Sequence, residues 1–402
     1  MPIDFCHSAA PVLSPHPECP WASKMVLNPA ILADPDDPRT IHMLFRATGP
    51  WPQGRRPGRP DPFPIFLGYA VSRDEGRSWQ ADFSKPALAP ALADAPDALW
   101  VEDEQGGRMP NYANGCIEDP RLFSFEGSIH LSVACRLFPP GPYWLHDDPM
   151  QCAPEWAAGD GHCLGLAASA NITVSVLFRV DLDALNRRDY ASAFVYRGPL
   201  HDPERGDNRD VFLFPRKLRI DGRWQVVCVH RPKEPWRYEA GRGLIIPSIF
   251  LAAADTVEAL SSDLARQHVL ARPRFEWEAN RIGGSFPPIE LGGGEWLLAY
   301  HGKQDDQVGY TQSFMILREQ ATGFPIVAHR CSERLLCATL PWELQGDFTI
   351  PCLFTCGGVR LVDGSLLMSY GAADSQVGLV QVDCDKLVDH IRRFDAQGRP
   401  IS

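Results

Sequence analysis

The sequence predicts an all-β fold, a closed radial array of five strand units, and three observations carry that prediction. The first is a repeat. Five apolar strands, at 41–46, 129–136, 224–231, 296–301 and 366–370, each end in a polar residue. The second is the turn before each one: Asp36-Asp37-Pro38, Glu126-Gly127, Asp221-Gly222, Gly293-Gly294 and Asp363-Gly364. The units therefore begin near residues 38, 126, 221, 293 and 363, with no helical stretch expected between copies. Strand units at such long spacings mark a radial β array. The third is composition: 33 glycines and 37 prolines suit a chain of many short strands and turns.

Each unit has companions. Upstream lies a segment that usually bears proline: Leu27-Asn28-Pro29, Glu118-Asp119-Pro120-Arg121, Leu213-Phe214-Pro215 and Phe286-Pro287-Pro288, with Cys352-Leu353-Phe354 in the fifth copy. Proline cannot donate to a central ladder, so these segments are expected to start the innermost strands at the mouth of a central channel. Downstream lies a second apolar strand, at 67–74, 249–255 and 378–383, that ends in Asp. With a less regular outer strand the unit becomes a four-stranded blade. Three stretches are too long for tight turns: 48–64, 92–114 and 138–163. They carry Trp51, Tyr143, Trp144 and Trp156, which suit either sugar platforms or loop anchors. Helix is expected only near Ile391 to Phe394.

The chain reads as one catalytic domain over 1–402, with a short N-terminal extension (1–25) and an insertion at 138–163. A net charge of −11 argues against nucleic acid, which needs a basic face. A few focused cations can still dominate one pocket. No run of 18 apolar residues occurs, and the N-terminus lacks the regions of a signal peptide, so a cytoplasmic protein is expected. The 12 cysteines are scattered and read as buried free thiols. Cys352 and Cys356 resemble a metal half-site, but no second half follows, so no metal is expected.

The strand ends deliver Arg46, Arg136, His230, Arg231, His301 and Tyr370 to the expected centre. The segment Gly115-Cys116-Ile117-Glu118-Asp119-Pro120-Arg121-Leu122 adds an acid beside an arginine, which suits a carboxyl group at a bond to be broken. Read alone, it equally suits an Asp–Arg pair that ties a turn.

Taken in order, Glu118-Asp119-Pro120-Arg121, Phe212-Leu213-Phe214-Pro215, His230-Arg231-Pro232, Arg281-Ile282-Gly283-Gly284, Tyr300-His301-Gly302 and Tyr370-Gly371-Ala372-Ala373-Asp374 resemble the motifs of glycoside hydrolase family 130. These are the β-mannoside phosphorylases and their hydrolase relatives. The likeness runs from about Asn28 to Leu379, and it implies a five-bladed β-propeller. It also implies an inverting reaction in which Asp119 is the acid, acting through a sugar hydroxyl, and inorganic phosphate is the nucleophile. A second protein carboxylate is then not needed, unlike in an ordinary inverting glycosidase. An acid that starts the cycle protonated is expected to have a raised pKa.

The resemblance places phosphate on Arg209, Arg231, Arg281 and His301, with Tyr310 nearby. Positions 209 and 281 are lysine in many relatives, so this chain keeps the charge and changes its geometry. Arg46, Arg121, Asp210 and Asp374 match positions near the sugar. Two other readings stand beside phosphorolysis. One is hydrolysis of a β-mannoside, with Glu234 or Glu239 activating water. The other is a silent carbohydrate-binding propeller. The expected partners are a small carbohydrate and phosphate, with no cofactor, no nucleic acid and no membrane. A homo-oligomer is compatible with this reading.

Overall fold

The computed structural model describes residues 3–103, 106–145, 148–158, 164–238, 245–262, 264–305, 307–346 and 350–401. Nearly all regular structure is β. A short β1 (Cys6–His7) precedes β2 (Met25–Ala33), β3 (Ile41–Thr48), β4 (Ile65–Ser72) and β5 (Gln80–Asp82), which form an antiparallel meander. A hairpin of β6 (Trp100–Glu102) and β7 (Arg108–Pro110) occupies part of the stretch read as the 92–114 loop. The second meander is β8 (Cys116–Phe125), β9 (Ser128–Arg136), β10 (Val174–Val180) and β11 (Phe194–Pro199). One parallel pair, Ile65 with Cys116, links it to the first.

The third sheet holds β12 (Asn208–Leu213), β13 (Leu218–Ile220), β14 (Arg223–Pro232), β15 (Ile249–Ala254) and β16 (Arg266–Ala271). The fourth holds β17 (Arg281–Gly284), β18 (Ile289–Gly292), β19 (Glu295–Lys303), β20 (Tyr310–Arg318) and β21 (Ile326–Arg330). The last is β22 (Leu353–Arg360), β23 (Ser365–Ala372) and β24 (Gln376–Asp383), and β1 adds its outer strand. All five repeat strands are present, as β3, β9, β14, β19 and β23.

The turn chemistry explains the registers. Glu126-Gly127, Asp221-Gly222 and Gly293-Gly294 are two-residue hairpin loops whose residues all have positive φ, the requirement of a type I′ turn. Strand burial explains the continuous apolar runs. Every residue of β3 is buried, because sheets cover both of its faces.

Successive side chains point to opposite faces and so feed different cores. Leu298 packs between the third and fourth sheets with Val229 and Phe212, whereas Leu297 packs towards Leu366 and Met368 of the fifth. Phe123, Phe125 and Leu177 join the second sheet to the third, and Leu44 and Leu67 meet Leu131 and Val176 between the first and second. Leu367 and Val359 of the fifth sheet pack on Ile41 and Met43 of the first. The packing order is therefore cyclic. Each fully buried leucine contributes about 1.5–3 kcal/mol to it.

Helix differs from expectation in two places. Three short helices, α1 (Gly165–Ser169), α2 (Leu182–Asn186) and α3 (Tyr190–Ala193), lie within the second unit, between β9 and β11, where none was expected. Asp181 caps α2 by accepting from the Ala184 amide. At the C-terminus α4 (Cys384–Ile391) ends where the sequence suggested that a helix begins. Asp383, read as the end of a strand, is also its N-cap and accepts from the Lys386 amide.

Candidate active site

Three inner strands carry the same irregularity at the same place. The register shifts between Leu27 and Ala30 in β2, between Glu118 and Arg121 in β8, and between Arg209 and Phe212 in β12. Each shift sets two residues against one, which is a β-bulge. Its first residue is in the left-handed region each time: Asn28 (φ 45°), Asp119 (φ 48°) and Asp210 (φ 55°). Asn and Asp tolerate that conformation better than other side chains except Gly. Pro29 and Pro120 take the second bulge position, so these prolines sit within the strands rather than at their starts.

The bulges aim their polar side chains at one another. Asn28 Nδ2 donates to Asp119 Oδ1 at 2.9 Å, and Arg46 Nη1 donates to the same oxygen at 2.9 Å. Arg46 Nη1 is also 3.2 Å from Glu118 Oε2. The Tyr143 ring lies 5.2 Å from the Arg46 guanidinium, so the 138–163 insertion reaches the site. Arg46 Nε is buried without a hydrogen-bond partner among the described residues.

Asp210 is the second focus. Arg231 Nε donates to its Oδ2 at 2.5 Å and Arg121 Nη2 to its Oδ1 at 2.9 Å, while His301 Nε2 is 3.3 Å from Oδ2. Arg121 also donates to the carbonyls of Asp119 (2.7 Å) and Ser285 (3.1 Å), a fully satisfied buried fork. Gly283 lets these groups approach. A Cβ there would lie 2.2 Å from Asp210 Oδ2 and 2.6 Å from His301 Nε2.

The remaining cations surround this pair. Arg209 faces Arg231 across the β12–β14 ladder and donates to Thr173 Oγ1 at 2.8 Å, with Asp207 at 3.3 Å. Arg281 Nε donates to Asn280 Oδ1 at 2.7 Å, and its Nη1 lies 3.4 Å from the Tyr310 hydroxyl. Tyr310 stands edge-on to His301, with ring centroids 5.2 Å apart. Glu118, Arg136, Tyr143, Asp148 and Arg209 line a cavity of about 100 Å³.

Two of the expected strand-end residues face elsewhere. His230 is adjacent to Arg231 and points to the opposite face, where it contacts Asn208 (3.0 Å) and Gln267 (2.9 Å). Tyr370 donates to Glu343 Oε1 at 2.6 Å and lies beside His7, away from Asp119.

Charge states depart from expectation as well. Burial works against ionised Asp119, but Arg46, Arg121 and Asn28 outweigh it and hold the pKa below the ordinary value. The expected raised pKa belongs instead to Asp374, which burial, with Asp119 and Glu118 nearby, pushes up to about 6 against the pull of Arg46. Asp210 is buried, yet Arg231, His301 and Arg121 hold it well below the carboxylate range. Burial outweighs Asp210 at His301 and lowers its pKa, so this residue presents a neutral imidazole rather than a cation.

Sequence reasoning assigned no role to Asn28, Glu118 or Gly283. Asn28 was findable, since Leu27-Asn28-Pro29 aligns with Glu118-Asp119-Pro120 in the repeat. Of the candidate water-activating carboxylates, Glu234 is paired with Arg237, and Glu239 lies outside the described residues.

The chain shares its fold with solved structures. A β-1,2-mannobiose phosphorylase from Listeria innocua superposes with a TM-score of 0.62 at 16% identity, covering 97% of this chain and 99% of that one. A glycosyl hydrolase from Bacteroides ovatus gives 0.59 at 16% identity, covering 94% and 93%. The glycoside hydrolase family 130 model, described as β-1,4-mannooligosaccharide phosphorylase, matches residues 238–393. A β-1,4-mannooligosaccharide phosphorylase from Ruminococcus albus is 30% identical over 191 residues, 46% of this chain. That match spans about half (51%) of the relative's length. Over residues 238–393 the chain is similar to glycoside hydrolase family 130.

Proposed function

We propose that the protein is an inverting phosphorylase that cleaves a β-mannoside with inorganic phosphate, giving α-mannose 1-phosphate. One observation carries this reading most. A buried carboxylate held by Arg46 lies in the field of Arg209, which pairs across the β12–β14 ladder with Arg231, and Arg281 stands at the start of β17 beside Tyr310. Several fixed cations around one small pocket suit a dianion. The relative from Ruminococcus albus and the matching family model support the substrate class.

In this reading Asp119 delivers a proton to the leaving oxygen through a sugar hydroxyl, and phosphate attacks the anomeric carbon from the other face. Arg209, Arg231 and Arg281 hold the phosphate oxygens, with hydrogen bonds from neutral His301 and from Tyr310. Arg46 and Asp374 contact the sugar. Arg121 and Asp210 are consumed by one another and by Arg231, so they position the ring of cations rather than bind sugar. No metal or organic cofactor takes part. The cyclic packing of five sheets supports a five-bladed propeller acting as one domain. The cysteines of the described residues are all free, which supports a reducing compartment. No helix of the described residues is long and apolar enough to cross a membrane.

The test is sugar 1-phosphate formation from a panel of β-mannosides with and without phosphate. Phosphate-dependent mannose 1-phosphate is the expected result. Free mannose made equally well without phosphate would replace phosphorolysis by hydrolysis.

A further inference from the structure

Arg136 ends β9, where the strand repeat delivers its polar residue, yet the proposed reaction uses it nowhere. Its backbone is fixed on both sides. The Gly115 amide donates to the Arg136 carbonyl at 2.8 Å, and Asn114 Nδ2 donates to the Leu137 carbonyl at 2.6 Å. Phe138 exchanges hydrogen bonds with the Asn171 side chain at 3.0 and 3.1 Å. The half-buried Arg136 side chain lines the cavity of about 100 Å³ that begins at Glu118, the residue before Asp119. Tyr143 and Asp148 of the insertion line it too.

Four charged side chains line this cavity, and three of them have a counter-charge of their own. Glu118 lies 3.2 Å from Arg46, Asp148 3.5 Å from Arg59, and Arg209 3.3 Å from Asp207. Arg136 is the exception. Among the described residues its guanidinium makes no hydrogen bond or ion pair, and its Nε is buried without a partner. Asp207 feels the charge of Arg136 but is committed to Arg209 and to the Thr173 amide. A buried donor without an acceptor and a charge without a counter-ion are both unfavourable. An anionic group on a ligand satisfies both at once.

We propose that Arg136 binds a carboxylate on the leaving sugar, so that the substrate is a β-mannoside of a uronic acid. The inference rests on the phosphorylase reading and deepens it. Two facts place the leaving sugar in this cavity. The cavity begins beside the proposed acid, which must reach the leaving oxygen. Arg281, His301 and Tyr310 of the fourth sheet are not among the described residues that line it, and inversion puts phosphate on the face opposite the leaving group. Arg209, which lines the cavity and faces Arg231 across the ladder, marks the border between the two subsites. A planar guanidinium fork matches a carboxylate through two parallel hydrogen bonds, whereas a neutral hydroxyl supplies no charge.

Synthesis from α-mannose 1-phosphate is the test, with glucuronate, mannuronate and galacturonate as acceptors beside glucose, mannose and galactose. At least one uronate is expected to exceed its neutral counterpart by about 10–100-fold in kcat/KM, the equivalent of one charged hydrogen bond. Arg136→Gln is expected to remove that preference and to leave the KM for phosphate unchanged. Arg136→Lys, which keeps the charge without the fork, is expected to retain part of the preference. Equal or better use of every neutral sugar by the wild type overturns the proposal. So does an Arg136→Gln variant that keeps the preference, or one that raises the KM for phosphate instead and so gives the cavity to the nucleophile.

If the wild type forms no mannoside from mannose 1-phosphate with any acceptor, the phosphorylase reading itself fails. Thermal unfolding with the same six sugars then decides the anion site separately, because a ligand that binds the folded state raises the melting temperature. Stabilisation of the wild type by a uronate and not by its neutral counterpart, lost in Arg136→Gln, is expected. Equal shifts with both sugars, or none, overturn the site.

Discussion

Arg46 Nη1 donates to Asp119 Oδ1 at 2.9 Å, joining two inner-site residues 73 positions apart. The same nitrogen lies 3.2 Å from Glu118. A single arginine thus pairs with the proposed acid and with its neighbour. Its own tolerance for burial comes from those carboxylates.

Asp119→Asn keeps the size of the side chain and removes its proton chemistry. Phosphorolysis should fall by about two to four orders of magnitude. Circular dichroism should remain that of the wild type, and a rate within tenfold of it would remove Asp119 from the proposed role.

Among the described residues Arg281 is tied only to Asn280 and Tyr310, and its removal leaves no buried carboxylate of these residues unpaired. Arg281→Ala should raise the KM for phosphate about 10–100-fold, the equivalent of one charged hydrogen bond, with a smaller effect on the KM for sugar. An unchanged phosphate KM would place the anion elsewhere.

Asp210→Asn breaks a buried network and should cost about 3–5 kcal/mol at pH 7. The sign with pH follows from its depressed pKa. The folded state gains stability from Asp210 above the unfolded carboxylate value of about 3.9, and loses it as pH falls towards the folded value. Urea midpoints should therefore drop less between pH 5 and pH 3 in the variant than in the wild type. Parallel drops would show that Asp210 is not what acid attacks.

Asp374 has the opposite sign. Its folded pKa is about 6, above the ordinary value, so its contribution is most favourable below about pH 4 and is lost as pH rises through 6. Asp374→Asn should gain on the wild type across that window and be more stable by about 1–3 kcal/mol at pH 8. Thermal unfolding at pH 4 and pH 8 measures the difference. A functional group held at a cost in stability is the expected trade.

Gly283→Ala places a methyl group 2.2 Å from Asp210 Oδ2. Relief requires the Arg231–Asp210–His301 cluster to spread. A loss of about 1–3 kcal/mol is expected in a denaturant titration, together with weaker phosphate use. Stability equal to the wild type would show that the cluster is loosely packed.

Much of this architecture was legible in the chain. The Asp221-Gly222 and Glu126-Gly127 turns fixed hairpin registers because two successive positive-φ residues leave little choice. The continuous apolar runs marked strands buried on both faces. The helices at 165–193 were not legible. They are four or five residues long, too short for a helical period to emerge, and depend on caps such as Asp181.

The candidate site divides in the same way. Residue type and motif order, set by chemistry that needs an acid and several cations, brought Asp119, Arg209, Arg231, Arg281 and His301 forward from sequence alone. Their charge states were decided by distance. Asp119 is an anion because Arg46 and Asn28, from other strands, reach it, and Asp374 is pushed towards its neutral form because no such partner does. Likewise Arg231 faces the site while His230 turns away, a choice made by strand register. Local sequence dictates turns, strands and which side chains are on offer. Only the tertiary structure decides which of them share a dielectric and a proton, because those energies depend on separations between residues far apart in the chain.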